Sequence, residues 1–369
     1  MSKKQVILTG LRANNDLHIG NYFGALLPIV DMAKNKSDEY QINLFVPDLH
    51  SFTTPIDHSQ LKAQIINNVK LFVASGLPLD NADVHIYRQS YIPAHSELTW
   101  ILDCFTGFGE MRRMTQFKDK SNNLSREVQK DKIHFSNSMN EDDIKKYNDS
   151  LEQKISVGLF NYPILMASDI LLYGASYVPV GDDQTQHLEF TRDIAQRMNN
   201  KFGDLFMVPE EVKKQHEFFS RDQGLRIMDL VDPIKKMSKS DEFGKGVIFL
   251  GDSPEDVRKK IMSATTDSIS QINYDRTNQP GIANIIDLIA LIDGVNPEEV
   301  ASRYQGQTMY GPLKTELADK MSQFIADFQA RLAQVDEVKV LEKLELSEQS
   351  MNIQANETLL KVQQALGLR

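Results

Sequence analysis

Three short apolar runs, each followed by a longer helical pattern, dominate the first part of the chain and restrict its fold more than any other feature. Gln5–Thr9 (QVILT) reads as a buried strand, with a helix over Gly20–Lys34 behind it. Asn43–Val46 (NLFV) is followed by a helix over about Ser59–Ser75, and Val84–Tyr87 (VHIY) by one over about Pro93–Phe105. Strands that alternate with helices are joined by right-handed crossovers into a parallel sheet. Such sheets hold their ligands beyond the carboxyl ends of the strands. The segments Thr9–Asn21, Pro47–Thr54 and the loop after Tyr87 are therefore expected to converge on one site.

The pattern resumes after residues 118–156, a polar, highly charged stretch that reads as a solvated excursion without chemistry of its own. Ile164–Tyr173 is expected to be helical, with Pro163 in its first turn, and Tyr177–Val180 a strand. Asp183 and Gln186 have capping-box spacing, opening a helix to about Asn200. Leu188, Thr191, Ala195, Met198 and Phe202 give that helix one core-facing stripe, and Gly203 stops it. Beyond about Gly251 only helical patterns remain. They start at Ser253-Pro254-Glu255-Asp256 and continue through Ile282–Leu291, Pro312–Val335 and Asn356–Leu366. The expected architecture is α/β, a doubly wound, Rossmann-like parallel sheet over residues 1–248 with an α-helical domain over 249–369.

Composition removes several function classes. The single cysteine, Cys104, excludes an intrachain disulfide and a cysteine-ligated zinc or iron–sulfur site, which suits a reducing, cytoplasmic setting. No 18 apolar residues run together, so no membrane span is expected. A formal net charge of −10 argues against general nucleic-acid coating, but not against a local basic patch.

One such patch is VDPIKKMSKSDEFGKG, residues 231–246. Lys236-Met237-Ser238-Lys239-Ser240 sets two ammonium groups around small hydroxyls. That arrangement can wrap a polyphosphate whose charge shifts during reaction, and Gly244 and Gly246 would let the loop move. Alone, it fits a solvated charge run equally well. A second candidate is His18-Ile19-Gly20-Asn21, at the mouth of the helix after the first strand. Helix N-termini offer unpaired N–H groups to anions, and Gly20 would let a nucleotide approach the backbone. Alone, HIGN fits an ordinary capping turn.

Together, an HIGN-type turn after the first strand and KMSKS after the last resemble the signatures of the class I aminoacyl-tRNA synthetases. Two further stretches, YPILMASDILLY (162–173) and VPVGDDQTQHLE (178–189), are similar to the tryptophanyl members of the tryptophan/tyrosine branch, as are Gly109–Lys120 and Thr266-Asp267-Ser268. The resemblance implies a ligase that joins L-tryptophan to tRNA(Trp) through an adenylate, with ATP and Mg²⁺ as a substrate complex and no protein-bound metal. A tyrosyl member is the alternative, and the two stretches just quoted weigh against it.

Carried over position by position, His18, Asn21, Lys236 and Lys239 would be catalytic. Arg12, Gly20, Asn21, Lys118, Gly181, Asp183, Lys236, Met237, Ser238, Lys239 and Ser240 would meet ATP. Leu8, His50, Met166, Asp169, Val178, Val180 and Gln184 would hold tryptophan, with Asp169 accepting the indole N–H. Arg12-Ala13-Asn14-Asn15 stands where bacterial members commonly have Gln-Pro-Ser-Gly, so Arg12 is expected to meet ATP differently. The family implies a homodimer, a connective and dimerisation insertion near 105–175, and anticodon reading by the helical domain. Lys235, Lys236, Arg258, Lys259 and Lys260, near the domain junction, would suit RNA.

Overall fold

In the computed structural model, residues 4–11, 17–53, 56–115, 118, 156–181, 184–219, 227–238 and 244–369 are described. Strands β1 (Gln5–Gly10), β2 (Tyr40–Val46), β3 (Val84–Arg88) and β4 (Ala175–Tyr177) form one parallel sheet in the order β3-β2-β1-β4. Gln5 opposes Tyr40 and Gly10 opposes Phe45 along β1 and β2, and Ile42 opposes Val84 along β2 and β3. Both faces of the sheet are covered. Ile7, Ile42, Leu44, Val84 and Ile86 point into one apolar cluster, and Val6, Leu8, Phe45 and Tyr87 into another. This period-2 alternation between two cores defines a doubly wound α/β sheet.

The helix after β1 begins as α1 (Ile19–Asn21), widens into a π-helical segment at Tyr22–Leu26 and continues as α2 (Leu27–Lys36). A single regular helix is what the sequence suggests. The wide turn falls just before Pro28, whose ring would clash with the carbonyl four residues back; closing the turn from Leu27 N–H to the Tyr22 carbonyl makes room for it. α3 (His58–Ala74) is capped by Asp57, and α4 (Ala94–Asp103) and the short α5 (Phe108–Met111) follow β3.

α6 spans Val157–Leu171 and so starts earlier than expected, with Pro163 in its interior. The Ser156 hydroxyl caps it by accepting from Leu159 N–H (3.0 Å). Burial of Leu159, Tyr162, Ile164, Ala167 and Ile170 against α4 and the next helix offsets the lost backbone bond. β4 lies earlier than the expected Tyr177–Val180 and overlaps it only at Tyr177: pairing stops there, and Pro179, which has no N–H to donate, follows in extended chain.

α7 (Thr185–Phe202) buries Leu188, Thr191, Ala195 and Met198 and ends at Gly203 (φ 89°). The Gln186 side-chain oxygen accepts from the Thr115 N–H and hydroxyl (2.8 Å each). Asp183 lies outside the described residues.

α8 (Val212–Phe218), α9 (Pro254–Met262), α10 (Pro280–Asp293), α11 (Pro297–Arg303), α12 (Gly311–Ala333) and α13 (Glu337–Ala365) complete the chain. α13 begins well before the expected Asn356. Asp336 caps it, accepting from Val338 N–H (3.0 Å), and Val340, Leu344, Met351, Ala355, Leu359 and Val362 form its buried stripe. It lies along β3 and α4. Among the described residues no helix is long and apolar enough to cross a membrane.

Candidate active site

β2 and β4 flank β1 on opposite sides, so the crossovers leave β1 in opposite directions and a crevice opens at its carboxyl end. A cavity of about 310 Å³ occupies that position. Leu8, Thr9 and Gly10 of β1 form its floor. Phe45, Pro47, His50 and Thr53 come from the end of β2 and the turn behind it. Tyr162, Met166, Asp169 and Ile170 come from α6, and Val178, Pro179, Val180 and Gln184 from the segment between β4 and α7. Every residue expected to hold tryptophan lines this one cavity. Met166 and Asp169, one turn apart on α6, do share a face toward it.

Among the described residues of that lining Asp169 is the only carboxylate, and it is fully buried. Its Oδ1 accepts from His95 Nδ1 and from Gln89 Nε2 (2.7 Å each), and its Oδ2 from His50 Nε2 (2.8 Å). Burial alone would raise its pKa. The His50 and His95 hydrogen bonds outweigh that and hold the carboxyl at about 2. Asp169 is thus an ionised acceptor at neutral pH, and with one donor on Oδ2 it retains a lone pair there. A ligand N–H is the complement of that lone pair. His50 stands edge-on to Tyr162, with ring centroids 6.2 Å apart, and His95 passes its other ring nitrogen to the Tyr173 hydroxyl (2.9 Å).

Gln89 and His95 are the site-building residues that the sequence reading did not single out. Their signal was positional: Gln89 stands in the loop after the third strand, where convergence is expected, and His95 opens the helix beyond it.

The nucleotide motifs are joined physically. His18 caps α1 through a box in which its Nδ1 accepts from Gly20 N–H (3.1 Å) and its N–H donates to Asn21 Oδ1 (3.3 Å). With Nδ1 as acceptor, the neutral imidazole carries its proton on Nε2. Antiparallel bonds tie this turn to the segment after the lysine loop: Ile19 N–H donates to the Ile248 carbonyl (3.0 Å), and Leu250 N–H to the Leu17 carbonyl (2.9 Å). The His18 ring meets Phe249 edge-on. Met237 is buried on the other side of the turn, with its Cβ 3.8 Å from where a side chain on Gly20 would begin. Such a side chain would also stand 2.9 Å from the His18 ring, so glycine is needed there for close packing.

Lys236 and Ser238 are exposed on the rim of this assembly. Lys236 is held in register by a bridge to Met228, and the Asp229 carboxylate accepts from Val231 and Asp232 N–H (2.8 and 2.9 Å). Gly181 turns the chain by accepting from Gln184 N–H (2.8 Å). Lys118 is exposed and does not line the cavity. Arg12, Asp183, Lys239 and Ser240 lie outside the described residues.

The basic cluster near the junction carries less available charge than its sequence suggests. Lys235 pairs with Asp232 (2.7 Å), Lys259 with Glu255 (2.8 Å), Lys260 with Asp252 (2.6 Å), and Arg258 with Asp319.

A doubly wound parallel sheet with an amino-acid-sized cavity at its switch point, beside an HIGN turn bonded to a lysine-loop segment, is the layout of a class I synthetase. The profile described as "tRNA synthetases class I (W and Y)" matches residues 2–326, and the chain belongs to that family. Among its curated relatives, the tryptophan–tRNA ligase of Caldanaerobacter subterraneus subsp. tengcongensis is 40% identical over 98% of this chain and 98% of its own. The tryptophan–tRNA ligase of Clostridium perfringens is 38% identical over 99% and 98%. Among solved structures, the tryptophanyl-tRNA synthetase of Campylobacter jejuni complexed with ADP and tryptophan superposes with a TM-score of 0.74. It is 28% identical and covers 99% of this chain and 100% of its own.

Proposed function

We propose that this chain is a tryptophan–tRNA ligase, and that the cavity at the end of β1 is its tryptophan pocket. The observation that carries this reading is the ionised, triply hydrogen-bonded Asp169, with acceptor capacity left on Oδ2, in a pocket whose apolar walls include Leu8, Met166, Val178 and Val180. An indole ring fills such a pocket with its apolar faces and presents one N–H to the carboxylate. Phenylalanine would leave Asp169 short of a donor. Gln184 takes the substrate amino group, and His50 orients both Asp169 and the bound amino acid.

In the first step the tryptophan carboxylate, already ionised at neutral pH, attacks the α-phosphorus of ATP. The bond from that phosphorus to the bridging oxygen breaks, and pyrophosphate leaves with Mg²⁺ from the substrate complex. No general base is required, so positioning and charge stabilisation supply the rate. The Nε2–H of His18 and the Nδ2 donors of Asn21 approach the triphosphate from the α1 side. Lys236 and Lys239 close on the leaving pyrophosphate, and Gly20, Gly181, Asp183, Met237, Ser238 and Ser240 frame the nucleotide with Arg12 and Lys118. In the second step the terminal 2′-hydroxyl of tRNA(Trp) attacks the adenylate carbonyl, expelling AMP.

The remaining parts of the reading follow the family. Residues 1–248 form the catalytic domain, with a connective and dimerisation insertion near 105–175 and the KMSKS loop at 232–246. Residues 249–369 form an anticodon-binding helical domain, and the enzyme works as a cytoplasmic homodimer. ATP–pyrophosphate exchange measured with each amino acid in turn tests the reading. Exchange with tryptophan alone is expected; exchange with tyrosine instead, or with no amino acid, overturns it.

A further inference from the structure

β3 is the outer strand of the sheet, so alternate N–H groups along it face away from β2. Two of them are taken up by side chains of α13. Ile86 N–H donates to Ser347 Oγ (3.1 Å), and Arg88 N–H to Glu348 Oε1 (3.1 Å). Glu348 also holds the Arg88 side chain from two directions, with Nε to Oε1 at 2.6 Å and a terminal nitrogen to Oε2 at 2.8 Å. Both side chains are largely buried, and the guanidinium stacks 3.4 Å from the Tyr91 ring centre. Arg88 is the last residue of β3 and the first of a tight turn over Gln89–Tyr91. α13 grips the far end of that turn as well, through Asn352 Nδ2 donating to the Tyr91 carbonyl (3.0 Å).

The next residue, Gln89, is fully buried and faces the other way. Its Oε1 accepts from Leu49 N–H (3.2 Å), and its Nε2 donates to Asp169 Oδ1. One carboxylate on the C-terminal helix therefore fixes the backbone at Arg88, and that backbone aims the amide that holds Oδ1. With Oδ1 held by Gln89 and His95, Oδ2 is the oxygen left for His50 and the cavity.

We infer that Glu348 is a positioning residue for tryptophan: through Arg88 and Gln89 it sets the orientation of Asp169, and with it affinity and selectivity for the indole N–H. The inference rests on the tryptophan reading above.

The test is pyrophosphate exchange with Glu348→Gln, which keeps the volume and one acceptor oxygen but loses the bidentate ion pair. KM for tryptophan is expected to rise about five- to tenfold while KM for ATP stays within twofold, and preference for tryptophan over an analogue with sulfur in place of the indole N–H should narrow. Ser347→Ala removes a neighbouring edge bond without the link to Gln89; it should lower the melting temperature and leave both KM values unchanged. Gln89→Ala combined with Glu348→Gln should cost little more than Gln89→Ala alone, because the two act in series. If Glu348→Gln folds poorly, Arg88→Lys, which keeps the charge but loses the planar fork, gives the same readout from the other partner. An unchanged KM for tryptophan in both variants, or rises in both KM values in step with lost stability as in a purely structural change, overturns the inference. A wild-type chain that does not exchange with tryptophan would instead sink the functional reading itself.

Discussion

Replacing Asp169 with asparagine removes a charge while barely changing volume, so the cavity keeps its shape and the effect isolates hydrogen bonding. In the wild-type chain the carboxylate receives three donors, two on Oδ1 and one on Oδ2. Asparagine offers one carbonyl oxygen and one NH₂ group. If the carbonyl keeps His95 and Gln89, the NH₂ faces His50 and the ligand. His50 can answer by moving its proton to Nδ1 and accepting through Nε2. The indole has no such option, and its N–H then confronts another donor. Loss of a hydrogen bond to a charged acceptor, together with an unpaired donor in a dry pocket, costs about 3 kcal/mol, or roughly a hundredfold in kcat/KM for tryptophan. The assay is pyrophosphate exchange with tryptophan and with the sulfur analogue that lacks the N–H. The wild-type enzyme should prefer tryptophan strongly. Asp169→Asn should lose most of that preference while KM for ATP holds. A variant that discriminates as well as wild type would show that the indole N–H binds elsewhere.

Three further outcomes are expected. Lys239→Ala should slow adenylate formation at least about tenfold in stopped-flow measurements, with tryptophan affinity nearly unchanged, if the lysine acts on the leaving pyrophosphate as proposed; a wild-type rate would contradict the clamp. Gly246→Ala would bring a Cβ within 1.9 Å of an Asp229 carboxylate oxygen. Since that carboxylate holds the turn before Lys236, about 2 kcal/mol of stability should be lost, and KM for ATP should rise; an unchanged denaturation midpoint and KM would refute the packing argument. His85 is held near a pKa of about 4 by burial and then by Lys343. A folded pKa below the unfolded 6.5 means that its contribution is intact above pH 6.5 and is lost as pH falls toward 4, by up to about 3 kcal/mol. His85→Gln should flatten urea-denaturation stability across that window, and a parallel pH profile would refute the assignment.

The sheet was legible because its strands bury both faces. Runs such as VILT and NLFV have nowhere to go but a covered parallel sheet, and the alternation of Val6 and Leu8 against Ile7 places them on its two sides. The cavity at the end of β1 was legible as far as a motif resemblance names residues that line it. Met166 and Asp169 stand one turn apart on a helix whatever surrounds them. What holds Asp169 was not legible, since Gln89 and His95 reach it only through tertiary packing that no local period encodes. The start of α13 was missed for a related reason: its charged exterior hides a buried stripe that only its partner strand reveals. At the junction, spacing along the chain does not show that four of the five basic residues pair with Asp232, Glu255, Asp252 and Asp319.

The outer margin of the sheet has a consequence for how a ribosome delivers this protein. Strand β3 is complete once residue 88 has left the exit tunnel, yet the hydroxyl and carboxylate that satisfy its outward amides are 261 and 260 positions further along. Throughout most of its synthesis the nascent chain therefore carries an open β-edge able to pair with another chain. Stalled or truncated products lacking residues 347–348 should be the ones that self-associate and are recognised by chaperones.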